Sequence, residues 1–437
     1  MKRLFLFGFA VFCSIFSGIS CSPATPQTDR IVIWHWMTDR DKAFQALALQ
    51  YEKETGIKVI LELYAPSDVY SQKIIAAAQA KILPDIFGIL DEKSVVADFI
   101  TSGFVADLTA DFKADDAAWE KVLFPKALLV NRFDPDNPYG VKPGIYGVPI
   151  DITNIQMIYN KNMLKKAGIL KPPATMQEWF DASSALKRVG LSGFVSGWGE
   201  LWMADCFATN YAFNIMGEDK VMATFRGEIP YTDPSWIKVF RIFSQMREKD
   251  VLVPGIVTKS NKDAEQDFAL ERAAFAFNGS WCVNVYNDMN PKLEYGVMLP
   301  PSASKEFPMK IWGGAGSSFF VNNVSPNKTK AIAFLKWLTA KEQQTFLAEK
   351  TQNLPVNQNS LASIPPILAE FSSSMESTTH PAIWPLNEDA LVLEAFDRGL
   401  QSIIIGEKTP EKVAAEVQKV KLRQLERQKR IKNDLYQ

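Results

Sequence analysis

The chain has 437 residues, of which 47% are hydrophobic and 22% are charged. This length exceeds what one hydrophobic core supports, so we expect two lobes of roughly 150–200 residues each, and the composition excludes a disordered or multi-span membrane protein. The formal net charge of −1 provides no positive field for nucleic acid, so we expect no nucleic-acid partner.

The N-terminus has the pattern of an export signal. A short basic segment precedes an uncharged run over residues 4–19, which is short for a membrane-spanning helix, and small residues then lead to Cys21. Residues 18–21, Gly-Ile-Ser-Cys, resemble a bacterial lipoprotein cleavage site, at which the cysteine is lipidated. We therefore expect a signal peptide over 1–20, a lipid on Cys21 and a tether over 21–28. The alternative is an ordinary secretory signal with an incidental cysteine.

Hydrophobic runs alternate with helical patterns after the tether. Continuous apolar segments predict parallel strands that are covered on both faces, and apolar residues at helical spacing predict the helices between them. The predicted order is strand, helix, strand, helix, strand over residues 30–36, 42–54, 57–63, 70–81 and 84–90. This order predicts an α/β lobe, in which a ligand lies beyond the carboxyl ends of the strands.

A second lobe is predicted to begin after residues 146–150. A strand over 155–159 and a helix over 162–167 follow, and Thr175 and Glu178 then have the spacing of a capping box at the start of another helix. Further helices are predicted over 235–249, 261–270, 328–349 and 410–432, and further strands over 273–277, 295–298 and 318–321.

The inventory of reactive side chains argues against an enzyme. His35 and His380 are the only histidines, and neither lies in a catalytic motif. No zinc or calcium motif occurs, and the glycine-rich segment 313–316 lacks the Lys-Ser/Thr of a phosphate-binding loop, so we expect no metal and no cofactor. Cys206 and Cys282 remain in the mature body, and the sequence leaves open whether they pair.

The eleven tryptophans are the most informative feature of the composition. Five of them lie in strand or helix patterns and are expected in the core: Trp34, Trp119, Trp179, Trp236 and Trp337. The other six are predicted in loops or at the ends of elements: Trp36, Trp198, Trp202, Trp281, Trp312 and Trp384. An aromatic face complements the C–H patches of a sugar ring, and carboxylates at the rim bind its hydroxyls. The set therefore favours a sugar site.

Short motifs follow one another in a fixed order along nearly the whole mature chain. They are Ile-Val-Ile-Trp-His-Trp at 31–36, Tyr-Glu-Lys-Glu-Thr-Gly-Ile-Lys-Val at 51–59, Leu-Pro-Asp-Ile-Phe at 83–87, Gly-Val-Pro at 147–149, Ile-Tyr-Asn-Lys at 158–161, Phe-Asn-Gly-Ser-Trp at 277–281, Trp-Gly-Gly at 312–314 and Ser-Pro-Asn-Lys at 325–328. In this order they resemble the extracellular solute-binding proteins of bacterial sugar ABC importers, the family of the maltose-binding protein.

The resemblance implies a two-lobe periplasmic-binding-protein fold of class II, with α/β lobes, hinge segments between them and a ligand in the cleft. It implies one lobe over 29–149 and 313–355 and another over 150–312 and 356–437. It also implies an exported monomer whose lobes close on the ligand and dock onto an ABC permease. Closure requires that the ligand binds the closed state better than the open one.

The resemblance also predicts ligand-binding residues by position. They are His35, Trp36 and Asp91 from the first lobe, Asp151 just beyond the crossing, and Trp198, Glu200, Trp202, Trp281, Trp312, Gly313 and Trp384 from the second lobe or the hinge. Trp281 and Trp384 match the family's ligand-stacking aromatics best. Asp91, Asp151 and Glu200 are the candidates for binding hydroxyl groups.

Alternatives remain for the ligand and for the C-terminus. The same fold could bind a glycerol phosphodiester or a polyamine, although a phosphate needs basic residues at the cleft and few adjoin the predicted contacts. A carbohydrate lyase or hydrolase would use paired carboxylates, but a chain with 49 acidic residues offers too many pairs to discriminate. The basic segment 419–432 is expected to be a solvated helix, with contact to anionic lipid headgroups as the alternative.

Overall fold

The computed structural model describes residues 29–65, 67–90, 93–135, 137, 139–314, 316–379 and 388–435. The predicted signal peptide and tether, together with Cys21, Asp91, His380 and Trp384, lie outside the described residues. What the sequence indicates for them stays a prediction.

The strands, numbered in chain order, are β1 (Arg30–His35), β2 (Lys58–Leu63), β3 (Ile86–Gly88), β4 (Arg132–Phe133), β5 (Gly144–Ile145), β6 (Gly147–Pro149), β7 (Asp151–Ile152), β8 (Ile155–Asn160), β9 (Phe194–Val195), β10 (Phe275–Gly279), β11 (Tyr295–Met298), β12 (Ser318–Val321) and β13 (Leu354–Pro355). The helices are α1 (Asp41–Thr55), α2 (Ser67–Gln79), α3 (Lys93–Thr101), α4 (Thr109–Val122), α5 (Pro125–Val130), α6 (Lys161–Lys166), α7 (Met176–Arg188), α8 (Leu201–Phe225), α9 (Pro234–Glu248), α10 (Asn261–Ala269), α11 (Cys282–Met289), α12 (Lys328–Leu338), α13 (Lys341–Thr351), α14 (Pro366–Ser373), α15 (Ala390–Ile404) and α16 (Pro410–Leu435). Short 3-10 helices span Ile256–Thr258, Gln358–Ser363 and Met375–Ser377.

The first sheet has the strand order β2-β1-β3-β12-β6. β1 pairs in parallel with β2 and β3, whereas β12 runs antiparallel to β3 and β6. α1 covers this sheet with a buried stripe at helical spacing: Phe44, Leu47, Ala48 and Tyr51. The helix ends at Gly56, whose φ of 75° places it in the left-handed region that favours glycine at such a position. The predicted order of strands and helices at the start of the chain is confirmed.

The second sheet has the strand order β11-β8-β10-β9. β8 runs antiparallel to β10 and β11, and β9 pairs in parallel with β10. The predicted capping box opens α7, because the Thr175 hydroxyl accepts the N–H of Glu178 and the Glu178 carboxylate accepts the N–H of Thr175. Helices α8, α9, α15 and α16 pack against one another in this lobe. The two sheets confirm the predicted α/β class.

One helix prediction differs from the structure. Residues 328–349 form α12 and α13 rather than one helix, because the chain becomes extended at Ala340 after the Thr339 hydroxyl has bonded back to the Leu335 carbonyl at 2.8 Å. The same hydroxyl accepts the Nε1–H of Trp119 at 2.8 Å, which ties the break to the lobe core. The long helix α8 was not predicted at all.

The C-terminal helix α16 contains the basic segment 419–432, and its helical structure is as predicted. Lys421 departs from the expected solvated face, because it is buried and donates to the Glu388 carboxylate and to the Phe225 carbonyl, both at 2.6 Å. The first sheet contains strands that precede those of the second sheet in the sequence and one strand, β12, that follows them. The predicted lobe boundaries at 149, 312 and 355 stay a prediction.

Candidate functional site

Three crossing segments join the sheets, and they are hydrogen-bonded side by side. β7, in the first segment, pairs antiparallel with β13 in the third. On the other side of β7, the Ile150 N–H donates to the Ser317 carbonyl at 2.9 Å and the Gly314 N–H donates to the Thr153 carbonyl at 2.9 Å. We call these segments, residues 150–154, 312–314 with 316–317, and 353–357, the hinge.

The sheet ends that border the hinge define a cleft. In the first sheet, the last residue of β3, Gly88, lies opposite Phe319 near the start of β12. In the second sheet, the last residue of β10, Gly279, lies opposite Ile155, the first residue of β8. Because β8 and β12 both begin where the crossing segments end, the carboxyl ends of β3 and β10 both lie beside the hinge.

Trp36 directly follows β1 in the first lobe, lies at the carboxyl end of β3 and is half-buried. Its ring lies directly on Gly88, where the Cβ of any other residue would overlap it. The ring centroid is 5.2 Å from that of Tyr70, whose hydroxyl donates to the Gly88 carbonyl at 3.0 Å. Glycine and tyrosine thus hold one face of the indole against the end of the sheet.

Trp202, at the start of α8, and Trp281, just before α11, lie in the second lobe. We call them the aromatic pair. Both are half-buried, with ring centroids 6.1 Å apart and planes at 50°. The Trp281 ring lies on Gly279, where a side chain would overlap it. Glu200 accepts the Trp202 Nε1–H at 3.1 Å with one carboxylate oxygen and the Asn261 N–H at 2.7 Å with the other. Glu200 therefore orients Trp202 and fixes the start of α10.

Trp312 and Gly313 lie in the second crossing segment. Trp312 is half-buried, and its carbonyl accepts the Ile155 N–H at 3.0 Å. Gly313 is buried against Asn154, and a Cβ there would lie 2.6 Å from the Asn154 Cβ. Glycine at this position lets the two crossing segments approach closely.

Trp198 does not lie at the cleft, so its predicted ligand contact is wrong. It is 0% exposed and packs against Phe194, Phe207 and Phe243, with ring centroids 5.3–5.4 Å away. The sequence predicted Trp198 in a loop or at the end of an element. In the structure, the preceding Gly197 packs closely against the Asn261 backbone, and the indole lies in the core.

His35 also lies inside the lobe, so its predicted contact with the ligand is wrong as well. It is 0% exposed, because alternate strand residues point to opposite faces and His35 points toward α1. Its Nε2 lies 3.2 Å from a carboxylate oxygen of Asp41. Burial lowers the pKa of His35 against the opposing effect of Asp41, which favours the neutral imidazole.

Asp151 lies in the hinge, but its carboxylate is occupied by protein partners. One oxygen accepts from the guanidinium of Arg40, and the other accepts the Ser317 N–H at 2.6 Å. Burial raises the pKa of Asp151 to about 6, with Arg40 and the Ser317 N–H opposing the shift and Asp39 adding to it. Both oxygens of Asp151 are thus bonded within the protein and the residue is only 5% exposed, so its contact with a ligand hydroxyl stays a prediction.

Two charged residues at the cleft were missed by the sequence reasoning. Asp39 is half-buried, and although burial alone would raise its pKa, Arg40, Asn353 and Lys262 together hold it below the ordinary value. Lys262 is exposed at the start of α10 and bonds Glu265 at 2.8 Å. Lys262 directly follows Asn261, whose N–H donates to Glu200, and its charge helps to lower the pKa of Asp39. The loop before α1 and the start of α10 therefore lie near each other, and no local sequence pattern predicts this proximity.

Cys206 and Cys282 are both buried and free, so they do not pair, and burial raises the pKa of each thiol well above its usual range. Within the ranges that the structure describes, no three His, Cys, Asp or Glu side chains are grouped as metal ligands. None of the helices in the same ranges combines the length and the apolar character needed to cross a membrane.

Comparison with known proteins identifies relatives of the same architecture. The model of the family "bacterial extracellular solute-binding protein" matches residues 46–373. The melibiose/raffinose/stachyose-binding protein MelE of Bacillus subtilis (strain 168) is 22% identical over 367 residues, covering 80% of each chain.

Solved structures extend the similarity to nearly the whole chain. A chitin oligosaccharide binding protein has a TM-score of 0.76 at 22% identity, over 90% of this chain and 98% of its own. A structure from work on xylan utilization by the thermophilic bacterium Caldanaerobius polysaccharolyticus has a TM-score of 0.77 at 18% identity, over 89% and 99%. These similarities confirm the predicted two-lobe fold.

Proposed function

Because the chain belongs to the bacterial extracellular solute-binding proteins, a family of binding proteins, we propose that it captures a carbohydrate in the cleft between its lobes. The ligand is a mono- or oligosaccharide, which the closed protein delivers to an ABC permease in the membrane. The protein acts by binding and has no catalytic step.

The aromatic pair at the end of β10 is the observation that carries this proposal. Trp202 and Trp281 expose part of their rings beside the hinge, and both are held from behind, one by Glu200 and the other by Gly279. Pre-oriented aromatic faces lose little conformational entropy on binding and suit the flat C–H faces of sugar rings. Trp36 on Gly88 supplies a similar face in the other lobe.

The relatives support the same class of ligand. MelE is named for melibiose, raffinose and stachyose, and one structural neighbour is named for chitin oligosaccharides. We extend these names to this chain only as the class, carbohydrate. The ligand surface that we propose consists of Trp36, Trp202, Trp281 and Trp312, with Gly313 behind them and with Asp91 and Trp384 from outside the described residues.

Titration calorimetry with a solute panel tests the proposal. The panel contains raffinose, maltose, chitin and xylan oligosaccharides, a glycerol phosphodiester and a polyamine. We expect saturable binding of at least one sugar, with weaker binding in Trp281→Ala. Binding should be unchanged in the control Trp337→Phe, because Trp337 packs on Tyr51 and Phe334, away from the hinge. Binding of only the phosphodiester or the polyamine, or of nothing at millimolar concentration, would refute carbohydrate as the ligand.

Two further parts of the proposal have separate tests. Incubation of the bound oligosaccharide with the protein should return it intact and in stoichiometric amount, and new products would show an enzyme instead. We also propose export with a lipid anchor on Cys21 and a monomeric state. Cys21→Ser should then release the protein from the membrane fraction, and light scattering should give the mass of one chain.

A further inference from the structure

One side chain, Arg40, contacts all three crossing segments. Its guanidinium donates to Asp151 in the first segment, to the Ser317 hydroxyl in the second at 3.2 Å, and to the Asn353 side-chain oxygen in the third at 3.3 Å. Arg40 itself belongs to none of these segments, since it directly precedes α1. The three partners are more than one hundred residues from Arg40 in sequence, so their meeting at one guanidinium is a property of the fold.

The surrounding groups close this contact into a network. Asp39 accepts from the Arg40 Nε–H and from the Asn353 side-chain amide, each at 3.2 Å. Asp151 accepts the Ser317 N–H, and its approach requires glycine at position 316, where a Cβ would overlap the carboxylate. Arg40 and Asp151 are 9% and 5% exposed. Buried charges are stable only when paired, so this geometry is tightly constrained.

Arg40 is also part of the loop that presents Trp36. The Arg40 N–H donates to the Met37 carbonyl at 3.3 Å, and its guanidinium contacts the Met37 sulfur at 3.4 Å. Residues 36–40 are therefore tied together at one end and to the crossing segments at the other. A short chain of contacts, from Met37 through Arg40, therefore connects the loop of Trp36 to the hinge.

We infer that Arg40 is the positioning residue of the hinge, which holds the three crossing segments together and fixes the Trp36 loop relative to them. This inference rests on the proposed function, in which a ligand in the cleft closes the lobes. Lobes that close as rigid bodies need hinge segments that move together. Without the guanidinium, the three segments lose their common partner, and the ligand contacts of the two lobes are no longer brought together as one unit.

The main experiment compares Arg40→Met with the control Arg132→Met. Methionine keeps an unbranched apolar stem like that of arginine and lacks the guanidinium. Arg132 is a half-exposed residue of the same lobe, paired with Glu120 away from the hinge. Hydrogen exchange, without ligand, is measured on peptides that carry the Ile150, Gly314 and Ile155 amides, relative to the amides of β10. We expect at least tenfold faster exchange at the hinge in Arg40→Met and no change in Arg132→Met.

Ligand binding gives the second measurement, with a solute to which the wild type binds. Arg40→Met should raise Kd at least tenfold and reduce the ligand-induced decrease in the radius of gyration from small-angle scattering. Arg40→Lys keeps the charge but cannot reach all three segments, so it should lie between the wild type and Arg40→Met. These two measurements separate positioning from a merely structural role, which would leave Kd and compaction unchanged in the folded variant.

The outcomes are distinct for the two proposals. Unchanged hinge exchange in Arg40→Met overturns the inference, and so does faster exchange with unchanged Kd and compaction. If the wild type binds no sugar, the proposed function fails, whereas hydrogen exchange still decides whether Arg40 holds the hinge. If Arg40→Met does not fold, the double variant Ser317→Ala with Asn353→Ala replaces it, since it removes two of the Arg40 contacts and no charge. Wild-type exchange and Kd in that variant would likewise overturn the inference.

Discussion

The Arg40 network and the aromatic pair both border the cleft, but they differ in what their atoms leave available. In the network, the oxygens of Asp151 are bonded to Arg40 and to the Ser317 N–H, in a buried environment. In the aromatic pair, the polar atoms of Glu200 are used in the same way, whereas the rings of Trp202 and Trp281 keep exposed surface. Charged groups here therefore fix the positions of the crossing segments and of Trp202, whereas the aromatic faces keep the surface that the proposed ligand contacts.

The strongest test of the comparison is the stability of Arg40→Met. Removal of the guanidinium leaves the buried Asp151 and the half-buried Asp39 without their cation, and breaking a buried ion pair in this way costs about 3–5 kcal/mol. We expect the free energy of unfolding in urea to fall by this amount, whereas Arg132→Met, at a half-exposed pair, should cost about 1 kcal/mol or less. Equal losses in the two variants would show that the Arg40 network is no more than an ordinary ion pair.

Trp198→Ala tests the separation of core tryptophans from cleft tryptophans. Because Trp198 is enclosed by three phenylalanine rings, its removal opens a cavity and should cost about 3–5 kcal/mol of unfolding free energy. The Kd for the ligand, measured at a temperature where the variant is folded, should remain within about twofold of the wild type. A Kd that rises tenfold in the folded variant would mean that Trp198 contributes to the ligand site.

The ionisation of Asp151 predicts a pH dependence of stability. Its pKa is about 6 in the folded protein and 3.8 is the ordinary value, so the folded state binds more protons between these two pH values. The free energy of unfolding of the wild type should therefore rise relative to Asp151→Asn, by about 2 kcal/mol, as the pH falls from 7 to 4. Urea unfolding of both proteins at several pH values measures this difference. A difference that shrinks toward low pH would mean that Asp151 is ionised throughout.

Local patterns in the sequence predicted much of the fold, because burial follows the strand and helix periods. α1 shows this with its stripe of four buried residues, and the capping box of α7 shows it for a helix start. α8 has no such stripe, since most of its residues are buried all around the helix, including the polar Asp205, Asn210 and Asn214. A helix without a polar face has no amphipathic period, so it was not predicted.

The site was less predictable, because its contacts join distant residues. Trp198 and Trp281 both follow a glycine closely in the sequence, and only the packing shows that one is in the core and the other beside the hinge. The resemblance to solute-binding proteins predicted Asp151 just beyond the crossing, as a residue that binds the ligand, and it did not predict the partner Arg40. That partnership depends on how three segments from across the chain meet, which no local pattern encodes.

Trp281→Ala should have the smallest effect on stability, and it tests most directly whether the aromatic pair is a ligand surface rather than part of the core. The ring is half-buried and lies on Gly279 without a charged partner of its own, so its loss should cost little stability, about 1 kcal/mol. An aromatic face that stacks on a sugar ring should contribute about 1–2 kcal/mol to binding, which corresponds to a Kd roughly tenfold higher. Calorimetry with the sugar that the wild type binds measures this change, and Trp281→Phe should recover most of the affinity. If Trp281→Ala lost stability rather than affinity, the aromatic pair would be part of the core, and the difference between the two regions would disappear.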